Sequence, residues 1–298
     1  MKKNKVMRIA SVLMALALIS TCAISGTFAK YVTKAEGTDS ARVAKWGILI
    51  GLNAGDAFAK EYEHSVKGDG YTGLAVKAEE KVVAPGTNSK EAGASIVGTV
   101  NGTPEVATRY QIKISGLKDI ILPAGEYTDY TQLVKAEDGS YGYTGKFTLA
   151  KDYTPVKWDI KVSNKNGVSY SLTQVAQSLG QNFTGFSFTD AASIMSASNI
   201  MGRLMPMLES MASGASNAQY KIDEDDGSIT VSMDFEPGTE MDYTFELSWA
   251  WAFEDANDAN VDKADTLLGN IASGDVELPK GASITIEATV EASATQID

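Results

Sequence analysis

The chain has 298 residues, of which 44% are hydrophobic, with 26 basic against 38 acidic side chains. That is enough apolar material for a buried core, and the formal charge of −12 argues against partners bound through phosphates, nucleic acid among them. One cysteine, Cys22, and one histidine, His64, exclude an internal disulfide, a Cys/His zinc site and a Cys-His dyad in the body of the chain.

The N-terminus reads as an export signal. Lys2, Lys3, Lys5 and Arg8 precede an apolar run from Ile9 to Ile24, and Thr27-Phe28-Ala29 supplies the small-x-small pattern of a cleavage site. The cut is placed between Ala29 and Lys30, so residues 1–29 are a signal peptide and the protein contacts the membrane only before cleavage. Two alternatives stay open: the uncharged stretch from Ile9 to Ala29 also has the length of a retained anchor, and Cys22 offers a lipid attachment point. Cleavage removes four basic and no acidic residues, leaving a cysteine-free, still more acidic body. The next segment, 30–41, is polar, with Tyr31 and Val32 its apolar anchors, and reads as a flexible arm ahead of a domain over 42–298.

Within that domain apolar residues recur at every second position, the period of a half-buried strand. Val106, Tyr110, Ile112 and Ile114 are in phase, as are Val156, Trp158, Ile160 and Val162, and Ile229, Val231, Met233 and Phe235. The longest row is Tyr243, Phe245, Leu247, Trp249, Trp251 and Phe253; Ile284, Ile286, Ala288 and Val290 close the series. One polar face per strand implies antiparallel pairing. Asn164 to Gly167 and Asp223 to Gly227 supply turn residues between the runs. The predicted fold is all-β: a two-sheet antiparallel sandwich, or jelly roll, with a helical insertion around 190–213 inside a longer insertion, 168–220. There Ile194, Ala197, Met201, Leu204, Leu208 and Met211 fall on one helical stripe, Asp190 is the expected N-cap, and Pro206 is expected to kink or end the helix near Met205. Its methionines read as gap fillers of a helix laid over the sheets rather than as an adaptable binding surface.

Several segments resemble the camelysin/TasA group of secreted proteins of Gram-positive bacteria, whose SipW-type signal is removed by a dedicated peptidase. They are Gly26-Thr27-Phe28-Ala29-Lys30-Tyr31, Ala41 to Trp46, Val83 to Gly86, Gly102 to Ala107, Trp249 to Glu254, Asn257-Asp258, Asp265 to Gly269 and Ala294 to Asp298. Together they cover about a third of the chain, and the insertion 168–220 has no counterpart among them. The resemblance implies a secreted jelly-roll subunit of extracellular-matrix, biofilm or cell-surface fibres. It also implies that the arm of one copy adds as a strand to the next, with Tyr31 and Val32 as donor-strand residues. The expected partners are further copies in a head-to-tail polymer, other matrix proteins, and the signal peptidase during export.

The search for chemistry yields no catalytic, cofactor-binding or metal-binding assignment, and no cofactor is expected. Some members of the group carry a metalloprotease label, so a metal-dependent protease built on His64 with Glu61 or Glu63 is the enzymatic alternative. A lone histidine nevertheless rules out the His-Glu-x-x-His pattern. Asp255, Asp258, Asp262 and Asp265, and Asp223 to Asp226, lack EF-hand spacing and read as solvated loops. No Gly-x-Ser-x-Gly elbow occurs, and the row from Tyr243 to Phe253 reads as core rather than as a sugar-stacking platform. A monomeric surface module that binds glycan or protein is the third reading.

Overall fold

The computed structural model describes residues 43–53, 57–63, 73–89, 95–211, 213–223, 227–253 and 260–297. The chain divides between Trp46 and Gly47, and of the first unit only Val43–Trp46 lie among the described residues. All the strands and helices named here belong to the second unit. Its strands are β1 (Ile48–Asn53), β2 (Ala59–Glu63), β3 (Leu74–Val82), β4 (Ile96–Gly102), β5 (Thr108–Lys118), β6 (Gly125–Thr128), β7 (Val134–Lys135), β8 (Tyr141–Gly142), β9 (Lys146–Leu149), β10 (Val156–Asn164), β11 (Ser169–Ser171), β12 (Ala215–Asp223), β13 (Ser228–Phe235), β14 (Met241–Trp251) and β15 (Glu287–Gln296). Among the described residues three helices, α1 (Leu172–Ser178), α2 (Ala191–Glu209) and α3 (Val261–Ala272), interrupt them. The molecule is therefore mostly β. A five-stranded sheet runs β1-β4-β14-β10-β11, a four-stranded sheet runs β12-β13-β5-β15, and three ribbons pair β2 with β3, β6 with β9 and β7 with β8. All of these pairings are antiparallel.

The alternation in the sequence decides which way each strand faces. On β14, Met241, Tyr243, Phe245, Leu247, Trp249 and Trp251 are all buried, whereas the residues between them are half-buried or exposed. The neighbouring β10 buries Val156, Trp158, Ile160 and Val162, and the register sets Trp158 beside Trp249, Ile160 beside Leu247 and Val162 beside Phe245. Such same-face pairs are the unit of sheet stabilisation. The four-stranded sheet contributes Tyr110, Ile112 and Ile114 from β5 and Ile229, Met233 and Phe235 from β13 to the same buried cluster. Phe235 meets Tyr243 with ring centroids 5.5 Å apart. At Gly98 of β4 a Cβ would lie 3.2 Å from Ile112 Cδ1 of β5, so the missing side chain lets the two sheets approach there.

Two carboxyl groups buried in this apolar volume are paired. Asp119, 2% exposed, accepts from Trp158 Nε1 at 3.1 Å, Ser187 Oγ at 2.9 Å, Phe188 N at 2.6 Å and Thr189 N at 3.1 Å, which pins the 186–189 segment across β10. Asp234 is in phase with the polar face of β13, yet it is 9% exposed. The guanidinium of its register partner Arg109 grips it through Nε at 2.6 Å and Nη2 at 2.8 Å, and Asn217 Nδ2 adds a bond at 2.8 Å. Arg109 thereby holds the Asp234 carboxyl below the usual carboxylate range.

The helices correct the expectations in several places. Asp190 caps α2, accepting from Ala192 N and Ser193 N, and Ala197, Met201, Leu204 and Leu208 are buried as the stripe requires. Pro206 does not end the helix, which runs on to Glu209. An interior proline forfeits its own N–H bond and crowds the carbonyl four residues back, and burial of Met205 and Leu208 offsets that cost in the last turns. Met201 and Met205 fill core space, whereas Met195 is 68% exposed. Helix α1 has no counterpart among the predicted elements, although Ser171 and Gln174 close a reciprocal capping box at its start. Phe253 lies beyond the end of β14 and is exposed, and Ile284 and Ile286 precede β15 rather than belonging to it. The pairing of β15 with β5 slips between Glu287 and Thr289, near Gly116 at φ +61°, and Ser283 bridges to Ile121 instead.

Two variants test this account of the interior. Asp119→Ala strands an indole N–H and two backbone N–H groups and is expected to cost about 3–5 kcal/mol in denaturant unfolding. Tyr110 Oη has no hydrogen-bond partner among the described residues, so Tyr110→Phe is expected to change stability by less than about 0.5 kcal/mol or to raise it. The reverse order of effects would contradict the assignment of Asp119 as the polar hub.

Candidate functional site: an open edge strand and a cleft beneath α3

Strand β1 is the outermost strand of the five-stranded sheet, and its sequence Ile48-Leu49-Ile50-Gly51-Leu52-Asn53 does not alternate. One side is hydrogen-bonded to β4, from Ile48 opposite Gly102 to Asn53 opposite Val97. Among the described residues no strand pairs with its other side. Leu49 is 75% exposed, Leu52 44% and Ile50 41%. Apolar side chains therefore reach solvent on a strand that carries no charge and no proline. Edges of soluble proteins are normally blunted by such residues, or by bulges and brevity. The other edges here follow that rule: β11 has three residues, β12 is bulged between Ser216 and Gln219, and β15 carries Glu287 and Glu291. Of these four edge strands β1 alone carries no such device, although β15 of the second sheet lies close to it, and an unpaired apolar edge is a surface to which an extended segment adds as a further strand.

A second feature is a cleft of about 470 Å³ bounded by Phe58, the end of β3 at Val82, the Pro85 turn, Trp251 and the inner face of α3. Helix α3 docks through Ala264, Leu267, Leu268 and Ile271, and an ion pair of 3.0 Å ties Lys263 to Asp129. Between those anchors stands Asp265. Tyr153 Oη donates to its Oδ1 at 2.6 Å, while Oδ2 and the nearby indole Nε1 of Trp251 are buried without hydrogen-bond partners among the described residues. Burial pushes the Asp265 carboxyl up to about 6, against the pull of the Tyr153 hydroxyl and the Trp251 indole.

Of the residues singled out in the sequence, Ala29 and Lys30 at the cleavage site and the donor-strand candidates Tyr31 and Val32 lie outside the described residues. So do His64, Asp255, Asp258 and Glu224 to Asp226. Glu61 is paired with Lys77 at 2.8 Å, and Asp223 with Lys221 at 2.6 Å. Asp262 and Asp265 are not loop residues but lie on α3. Among the described residues no group of three or more His, Cys, Asp or Glu side chains is placed to hold a metal ion, and no helix is long and apolar enough to cross a membrane. The row from Tyr243 to Trp251 is core. Sequence reasoning misses both the open edge and the cleft. The run 48–52 is a short apolar stretch after Gly47, and Ala264, Leu267, Leu268 and Ile271 follow an i, i+3, i+4, i+7 spacing; both are readable signals. Comparison of the chain with family models, curated proteins and solved structures finds no match in any of the three.

Asp265 contributes a pH dependence to stability. Its folded-state affinity for a proton exceeds the ordinary one, set by a value of 3.8, so its contribution is fully present below that value and is lost as pH rises through about 6. Thermal melts between pH 4 and 7 are expected to show this fall. Asp265→Asn should flatten it and gain about 1–2 kcal/mol at pH 7, a figure discounted for partial solvent exposure. An unchanged pH slope in the variant would contradict the assignment.

Proposed function

We propose that this chain is a secreted structural subunit of cell-surface or biofilm-matrix fibres, built on a jelly-roll sandwich with an N-terminal arm. On this reading residues 1–29 are removed at export, and the arm 30–41 of one copy adds along β1 of the next. The observation that carries it is the undefended β1 edge with Leu49, Ile50 and Leu52 exposed. Strand addition there gains main-chain hydrogen bonds and covers apolar surface. It joins unlike surfaces of two copies and so propagates into a filament instead of closing. The resemblance to the camelysin/TasA segments points the same way, and no catalytic role is included. The cleft beneath α3 is the observation that favours the alternative of a monomeric binding module.

The test uses residues 30–298, purified as a monomer and followed by sedimentation and negative-stain microscopy. Filaments are expected above a threshold concentration. Leu49→Lys with Leu52→Lys places charge on side chains that are already exposed, so it should leave the melting temperature unchanged while abolishing filaments, as should deletion of 30–41. Polymerisation of the doubly substituted protein at the wild-type rate would overturn β1 as the acceptor. Saturable wall binding by a protein that stays monomeric would support the module instead.

A further inference from the structure

The inner face of α3 is apolar except for one carboxyl group. Asp265 stands one residue from Ala264 and three from Leu268, both buried, and so points to the side on which the helix docks. The groups around it compensate a negative charge only in part. Tyr153 supplies one neutral hydrogen bond to Oδ1. The indole N–H of Trp251 is close enough to favour the charged form but makes no hydrogen bond among the described residues. Asp262, on the same helix, repels it. Lys81 and Glu287 stand on the rim of the cleft, with Glu287 already bonded to Lys118 at 2.8 Å. Lys263, the nearest cation along the helix, is taken by Asp129 at 3.0 Å. A protonated carboxyl group fits this setting, because its O–H and C=O are both neutral; a carboxylate there keeps the buried Oδ2 unpartnered among the described residues.

We infer that α3 is a pH-responsive latch over the cleft, held closed while Asp265 is protonated and loosened when it ionises. Oδ2, buried without a partner among the described residues in the closed form, gains full solvation when the helix lifts, so deprotonation favours the open form by its differential affinity for the two states. Lifting exposes Leu268 and widens the cleft lined by Phe58, Val82 and Ile286. The sheet stays behind: β10 is paired along its whole length with Tyr243–Trp251 of β14 and does not depend on α3 for those hydrogen bonds. With the carboxyl group titrating near 6 in the closed form and near 3.8 in the open form, the opening equilibrium should rise about tenfold between pH 5 and pH 7.

Amide hydrogen exchange of the mature protein at pH 5 and pH 7, corrected for the intrinsic pH dependence of exchange, tests this. Protection over 261–272 is expected to fall about tenfold at the higher pH while protection over 241–251 changes far less. Asp265→Asn should remove the difference. Tyr153→Phe withdraws the hydrogen bond that favours the charged carboxylate and should displace the transition to higher pH, which keeps the test decisive if the asparagine variant folds poorly. Equal protection of 261–272 at both pH values, or a fall shared equally by 241–251, would overturn the latch.

Discussion

Alternating burial along β14 is the constraint on which the rest of the structure depends. Six consecutive inward positions from Met241 to Trp251 carry large apolar side chains, and none is more than 5% exposed. Burying each is worth about 1.5–3 kcal/mol, so a slip of one residue, which would turn all six outward, is prohibitive. With β14 fixed, β4 and β10 are fixed by register on either side, and the four-stranded sheet is held by what its own inner faces must cover. The helices are additions to that frame: α2 lies against β12, and α3 closes the end where Trp251 and Asp265 meet.

Where burial on one face of a strand dominates, the sequence is readable. Rows at 156–162, 229–235 and 243–251 translate directly into β10, β13 and β14, and the row at 106–114 into β5 except for Val106, which precedes the strand. Reading fails where a second effect competes. Phe253 continues the period of β14 but comes after the strand's pairing has ended, and Ile284 and Ile286 keep the period of β15 without its partner. Pro206 carries a strong local signal that tertiary packing of Met205 and Leu208 overrides. Asp234 looks like a surface residue until its distant partners Arg109 and Asn217 are known. The surface of β1 is hard to find for a different reason: a run of apolar residues normally signals a buried strand, and only topology reveals that this one lies at an edge.

That contrast links the fold to its proposed use. A sheet protein that stays soluble protects its edges, and here the protection is uneven. Shortness at β11, a bulge at β12 and carboxylates on β15 guard three edges, while β1 offers Leu49, Ile50 and Leu52. On the proposed reading, uneven protection directs association to one place. An acidic body with a single receptive edge would repel other copies generally and accept them there, which is the balance an ordered filament needs in place of an amorphous aggregate.

The central claim, that the arm of one copy lies along β1 of the next, is open to a direct measurement because the only cysteine of the chain, Cys22, falls within residues 1–29. Protein spanning residues 30–298 and carrying Val32→Cys is mixed with the same span carrying Ile50→Cys and assembled under mild oxidation. The account predicts intermolecular disulfides between the two, well above the yield when the second cysteine is placed at Ser140 on the exposed β7–β8 turn. Equal yields at the two positions, or filaments with no cross-link to β1, would contradict it.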